Sequence, residues 1–170
     1  MMIRLVAISL FWALPGFAQT GGPSVPSKDE IFELLDKANQ KITDFEDAIK
    51  AVKPSLDKAD KHMSTNDLDA AATAHDLIRK IKANGPSAYG LVGLMATIDD
   101  LSLDAATASV QLLLQPHADP DQPTPSQLNQ VMLLLAAKNS CRDISELIFH
   151  ATMRYIHGEE EVLTTLLKPK

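Results

Sequence analysis

From Ile31 to Met63 the apolar residues recur at alternating steps of four and three: Ile31, Leu35, Ala38, Ile42, Phe45, Ile49, Val52, Leu56, Ala59 and Met63. Charged residues fill most positions between them. Heptad-type spacing of this kind predicts a long helix with one apolar seam. Ser27-Lys28-Asp29-Glu30 precedes it, and Ser27 with Glu30 has the spacing of a capping box. Pro54 falls opposite the seam, where a proline bends a helix around its core rather than ending it. The competing reading is two helices breaking at Lys53-Pro54, because proline removes a helix hydrogen bond and disfavours helix at the residue before it.

Ser64-Thr65-Asn66-Asp67 reads as a second cap, opening a helix over 66–83 with Leu68, Ala71, Ala72, His75, Ile78 and Ile81 turned inward. Asn84-Gly85-Pro86 ends it, since Gly takes the left-handed position after a helix and Pro cannot continue one. A third helix is expected from Ser87 to Leu114, with Leu91, Leu94, Ile98, Leu101, Ala105, Ala108 and Leu112 on the seam. A second stripe of Val92, Met95, Leu103 and Val110 makes it apolar on most sides, the pattern of a central helix.

Residues 116–125 carry four prolines and read as a loop. Thr124-Pro125-Ser126-Gln127 then caps a fourth helix whose core face is expected at Leu128, Val131, Met132, Leu135 and Ala136. A tight turn at Asn139-Ser140 separates it from a fifth, with Ile144, Leu147, Ile148, Ala151 and Tyr155 inward and Gly158 as its cap. Glu159-Glu160-Glu161 then opens a last turn or two through Leu167. No strand-type alternation persists. The fold class is all-α: an antiparallel helical bundle of four to five helices.

Ahead of the bundle, Arg4 precedes an apolar run from Leu5 to Phe17 that ends in Gly16-Phe17-Ala18, with small residues where a signal peptidase cuts. The run is shorter than the about 20 residues of a membrane span and reads as a signal peptide over 1–18. The chain divides into that signal, a flexible leader at 19–26 and a single helical domain at 27–168. The protein is expected in a periplasmic or secreted location, free of the membrane after cleavage.

Charge removes several functions. The 170 residues hold 16 basic against 22 acidic side chains, a formal charge of −6, and cleavage would remove Arg4 as well. An acidic chain without clustered Lys and Arg does not attract phosphate backbones or anionic lipid, so nucleic acid is excluded as a partner. Cys141 is the one cysteine, which rules out an internal disulfide, a c-type haem attachment and any multi-cysteine zinc site. It is left as a buried small hydrophobe, an intermolecular disulfide or a reactive thiol.

Polar candidates are few. His150, Arg154 and His157 share one helix face, with Glu146–His150 and His157–Glu161 at pairing distance along the helix. The two imidazoles lie about 10 Å apart along the axis and Arg154 between them repels a cation, so the face reads as solvated rather than as a metal site. The Glu-x-x-His pattern of di-iron bundles is absent. Met63, Met95, Met132, Met153 and the histidines leave b-type haem ligation open, although Met on a core stripe is usually a gap filler. His75 intrudes on an apolar face and Asp99 on the second stripe of the third helix; adjacent helices could pair them, with Arg79 as another partner for Asp99. Boundary positions on a helix shoulder explain both residues without a pair, and this is the preferred reading.

There is no phosphate-binding loop, nucleophile elbow or metalloprotease helix. The expectation is an exported, non-enzymatic helical bundle, without cofactor, serving as a structural or protein–protein interaction module or associating with itself. The alternative is a periplasmic carrier or sensor that holds haem, a metal ion or a small apolar molecule between its helices.

Overall fold

The Ser27 amide donates to Glu30 Oε2 at 2.7 Å and the Glu30 amide donates to Ser27 Oγ at 3.2 Å, the reciprocal cap that its spacing predicts. Hydrogen bonds from the Ser27 amide and then its hydroxyl hold the Glu30 carboxyl below its usual range. From this cap α1 runs unbroken over Lys28–Ala59, through Pro54. The computed structural model describes residues 24–59, 61–114 and 124–166. The segment 1–18 expected to be a signal peptide and most of the proline-rich stretch, with His117, lie outside the described residues, as do the side chains of His62 and Met63.

All eight seam residues of α1 from Ile31 to Leu56 are buried, and Pro54 is exposed on the opposite side. Of the two readings of Pro54, one continuous helix holds. Three further helices follow: α2 over Lys61–Asn84, α3 over Ala88–Leu114 and α4 over Pro125–Leu166. Gly85, with φ of 87°, makes the sharp exit from α2. Ser87 Oγ then accepts the Gly90 amide at 3.1 Å and starts α3. Thr124 and Gln127 cap α4, the Gln127 side chain accepting the Thr124 amide at 2.9 Å.

Each helix packs on its neighbours in the order α1, α2, α3, α4, α4 returns to α1, and α1 meets α3 across the centre. His75–Asn39 and Lys82–Asp36 contacts make α1 and α2 antiparallel. Ser102 Oγ donates to the Lys138 carbonyl at 3.2 Å, and Tyr155 OH donates to the Pro86 carbonyl at 3.1 Å, so α3 and α4 are antiparallel too. The result is an up-and-down four-helix bundle. Phe45, Leu35, Leu94, Leu101 and Leu134 fill its interior.

Four expectations change. Ser64–Asp67 is not a cap, because α2 begins earlier, at Lys61, and carries these residues in its interior. Asn139-Ser140 is not a turn: α4 continues through it for 42 residues. Neither residue breaks a helix, and the buried row Val131, Leu134, Ala137, Cys141, Ile144, Ile148, Ala151 crosses the site without losing register. Of the expected core face Val131, Ile144, Ile148 and Ala151 are buried, whereas Leu128, Met132, Ala136 and Leu147 are exposed. Gly158 is not a cap either. It lies within α4, buried under Val25, whose Cγ2 would come within 1.8 Å of a Cβ there. The end of the leader is thus laid against α4, and Pro26 is buried.

Candidate functional site

His75 sits half-buried on α2, facing α1. Its Nδ1 is 2.8 Å from Asn39 Oδ1 and its Nε2 is 3.8 Å from Glu46 Oε1. Its partners are therefore Asn39 and Glu46 rather than Asp99, which is exposed on α3. Arg79 pairs with Asp76 on its own helix at 3.1 Å. Below His75 an open cleft of about 390 Å³ is lined by Asp36, Asn39, Ile78, Arg79 and Lys82. Lys82 crosses it to Asp36 at 2.6 Å and also lies over the Phe32 ring. Basic and acidic groups already neutralise one another there, which makes the cleft a polar bridge between α1 and α2.

His150, Arg154 and His157 are exposed along α4. His157 lies 3.7 Å from Glu160, and His150 is edge-on to Phe149 at 5.6 Å between ring centres. Glu146 pairs with Arg142 at 3.3 Å instead of with His150. Arg154 also borders a smaller cleft of about 150 Å³ with Pro26, Glu30 and Leu147. The three residues do not converge on a common point. Among the described residues no group of three His, Cys, Asp or Glu could hold a metal ion. Cys141 is fully buried in the α4 row, and burial, with Asp44 nearby, pushes its thiol up to about 12. A thiol so far from ionisation is a poor nucleophile.

The sequence did not announce a buried acid. Asp67 on α2 is 1% exposed and shares a hydrogen bond with Asp104 on α3, while its Oδ2 has no partner. Loss of water, then the charge of Asp104, pushes the Asp67 carboxyl up to about 7.

The largest unexplained feature is apolar. On α3 three of the four residues of the second stripe point outward: Val92, Leu103 and Val110 are exposed, Leu103 to 66%, together with Tyr89 and Leu113, while Met95 packs partly buried against the core. On α4 Leu128, Met132, Phe149 and Met153 are exposed, Met132 to 65%. The reading of α3 as a central helix is thus corrected. Its inner seam is buried as expected, and its outer stripe borders solvent. Counted in the heptad register of the buried rows, these side chains lie on the outer side of α3 and of α4, on both flanks of the seam between the two helices. Exposed apolar residues standing singly need no explanation, whereas a contiguous face of them marks an interaction surface. The α1 outer face is different, carrying ion pairs such as Glu33–Lys37 at 2.8 Å and Lys53–Asp57 at 3.0 Å.

No described helix is long and apolar enough to cross a membrane. Comparison with protein-family models, curated proteins and solved structures finds no match to this chain.

Proposed function

We propose that this chain is an exported, non-catalytic helical bundle that binds another protein through the outer face of α3 and α4. The observation that carries the reading is the exposure of Val92, Leu103 and Val110 on α3 beside Leu128, Met132, Phe149 and Met153 on α4. A helix at the surface of a bundle places polar residues opposite its seam. Here large apolar residues stand there on two adjacent helices. Burying one Leu or Met side chain contributes about 1.5–3 kcal/mol, so several together outweigh the ordering that docking requires. The apolar run before Ala18 supports export to the periplasm or beyond. A carrier of haem or of an apolar molecule draws less support: the cleft lined by His75 is open and bridged by charged groups, the cleft beside Arg154 is only about 150 Å³, and Phe45, Leu94 and Leu101 fill the interior.

A photo-crosslinking side chain replacing Leu103, in cells making the full-length chain, tests this. The control replaces Asp47, which is exposed on α1. Light-dependent protein adducts from position 103, and far fewer from position 47, are expected. Equal yields from the two positions would contradict the reading.

A further inference from the structure

We propose that the occupant of this face is a second copy of the chain, packed face to face about a two-fold axis parallel to the helices. The inference rests on reading the α3–α4 face as a docking surface, and it names the partner. Three features carry it.

The first is register. The Ser102–Lys138 and Pro86–Tyr155 hydrogen bonds set which residues of α3 and α4 stand at the same height. On the outer side of the seam Val92 is level with Phe149, Asp99 with Arg142, and Leu113 with Leu128. The face is apolar at both ends; its middle carries Asp99 on α3 and, at equal height on α4, Arg142 with its ion-pair partner Glu146. An axis along the helices sets α3 of one copy against α4 of the other without changing heights. Apolar ends then meet apolar ends, and Asp99 of each copy meets Arg142 of the other.

The second is charge. Asp99 is exposed and makes no ion pair or hydrogen bond among the described residues. Arg142 pairs with Glu146 of its own helix at 3.3 Å and is 64% exposed. A second copy supplies the missing counter-charge twice over, once at each symmetry-related contact. A partner that was apolar throughout would bury Asp99 unpaired.

The third is size. Twenty-seven residues of α3 span about 40 Å, and two helices at ordinary spacing make a face about 20 Å wide. The face therefore covers about 800 Å² per copy, what one side of a stable interface buries.

Sedimentation equilibrium of protein made from the full chain tests the proposal, with Leu103→Glu, Asp99→Arg and Arg142→Asp as exposed-site variants whose helix content is checked by circular dichroism. The parent is expected to be dimeric, and each variant alone to dissociate at least about ten-fold more readily. An equimolar mixture of Asp99→Arg with Arg142→Asp is expected to recover the dimer, because opposite charges then meet at both symmetry-related contacts. A parent that is monomeric throughout the concentration range overturns the proposal, as does a dimer indifferent to Leu103→Glu or a mixture that recovers nothing. The crosslinks at position 103 separate the two levels. Adducts to other proteins from a monomeric chain overturn self-association and leave the docking surface standing, whereas a monomer without adducts removes both.

Discussion

Asp67 of α2 and Asp104 of α3 share one hydrogen bond across their seam, with the second oxygen of Asp67 buried and unpartnered. Two carboxyls in that position cannot both ionise cheaply, so the pair retains a proton that the unfolded chain gives up. Burial raises Asp104 as well, with Asp100 adding to the effect. Asp67 titrates at about 7 in the fold, against about 3.9 when unfolded. Its contribution is complete below about pH 4, is lost progressively as pH rises through that interval, and levels off above about 7. Asp67→Asn, which keeps the shape without the charge, should therefore stabilise the protein at pH 8 by about 1–2 kcal/mol and change little at pH 4. Thermal melts of parent and variant at the two pH values check this. A variant less stable at pH 8 would show that the carboxylate is wanted.

Gly158 is buried under Val25, and a Cβ added there meets the Val25 side chain well inside contact distance. Gly158→Ala favours the helix by about 1 kcal/mol on propensity alone. The expected result is nevertheless release of residues 24–26 from α4, seen as faster proteolysis before Ser27 with little change in melting temperature. A melting temperature raised by several degrees with unchanged proteolysis would mean that the strap yields without cost.

Pro54 lies within α1 on its exposed side. Proline in a helix interior costs about 3 kcal/mol relative to alanine, part of which the bend recovers by fitting the helix to the core. Pro54→Ala should raise stability by about 1 kcal/mol or more in chemical denaturation. Destabilisation would indicate that the core needs the bend.

Tyr155 OH donates to the carbonyl of Pro86 at 3.1 Å and ties the late part of α4 to the α2–α3 connection. Tyr155→Phe keeps the ring and removes the bond, with an expected loss of about 1 kcal/mol. Hydrogen exchange should quicken first at the start of α3. An unchanged exchange pattern would assign the register of α3 and α4 to the apolar seam alone.

Much of this architecture is legible along the chain, and the reasons are local. Charged neighbours leave Ile31, Leu35, Ile42 and Ile49 a single register, and Ser27, Gly85 and Thr124 are end signals that act within one turn. Leu128–Ala137 is almost wholly apolar, so several registers compete, and only packing against α3 selects Leu134 and Ala137 over Met132 and Ala136. Asp67 resembles a cap residue in isolation; its burial depends on Asp104, far along the chain. The partner of His75 is likewise remote, on α1 at Asn39. The second apolar stripe of α3 is visible in the sequence, but an apolar stripe does not say whether the same chain or another molecule covers it.

Methionine oxidation tests the central claim most directly, because Met132 and Met153 are exposed on the α3–α4 face. Peroxide is applied to the dilute purified protein and to the same protein in the compartment where it accumulates, and sulfoxide at each methionine is read by mass spectrometry. The account expects Met132 and Met153 to oxidise readily in dilution and several-fold more slowly in place, with added free methionine as the dose reference. Equal rates in both settings would mean that nothing covers the face, and would contradict it.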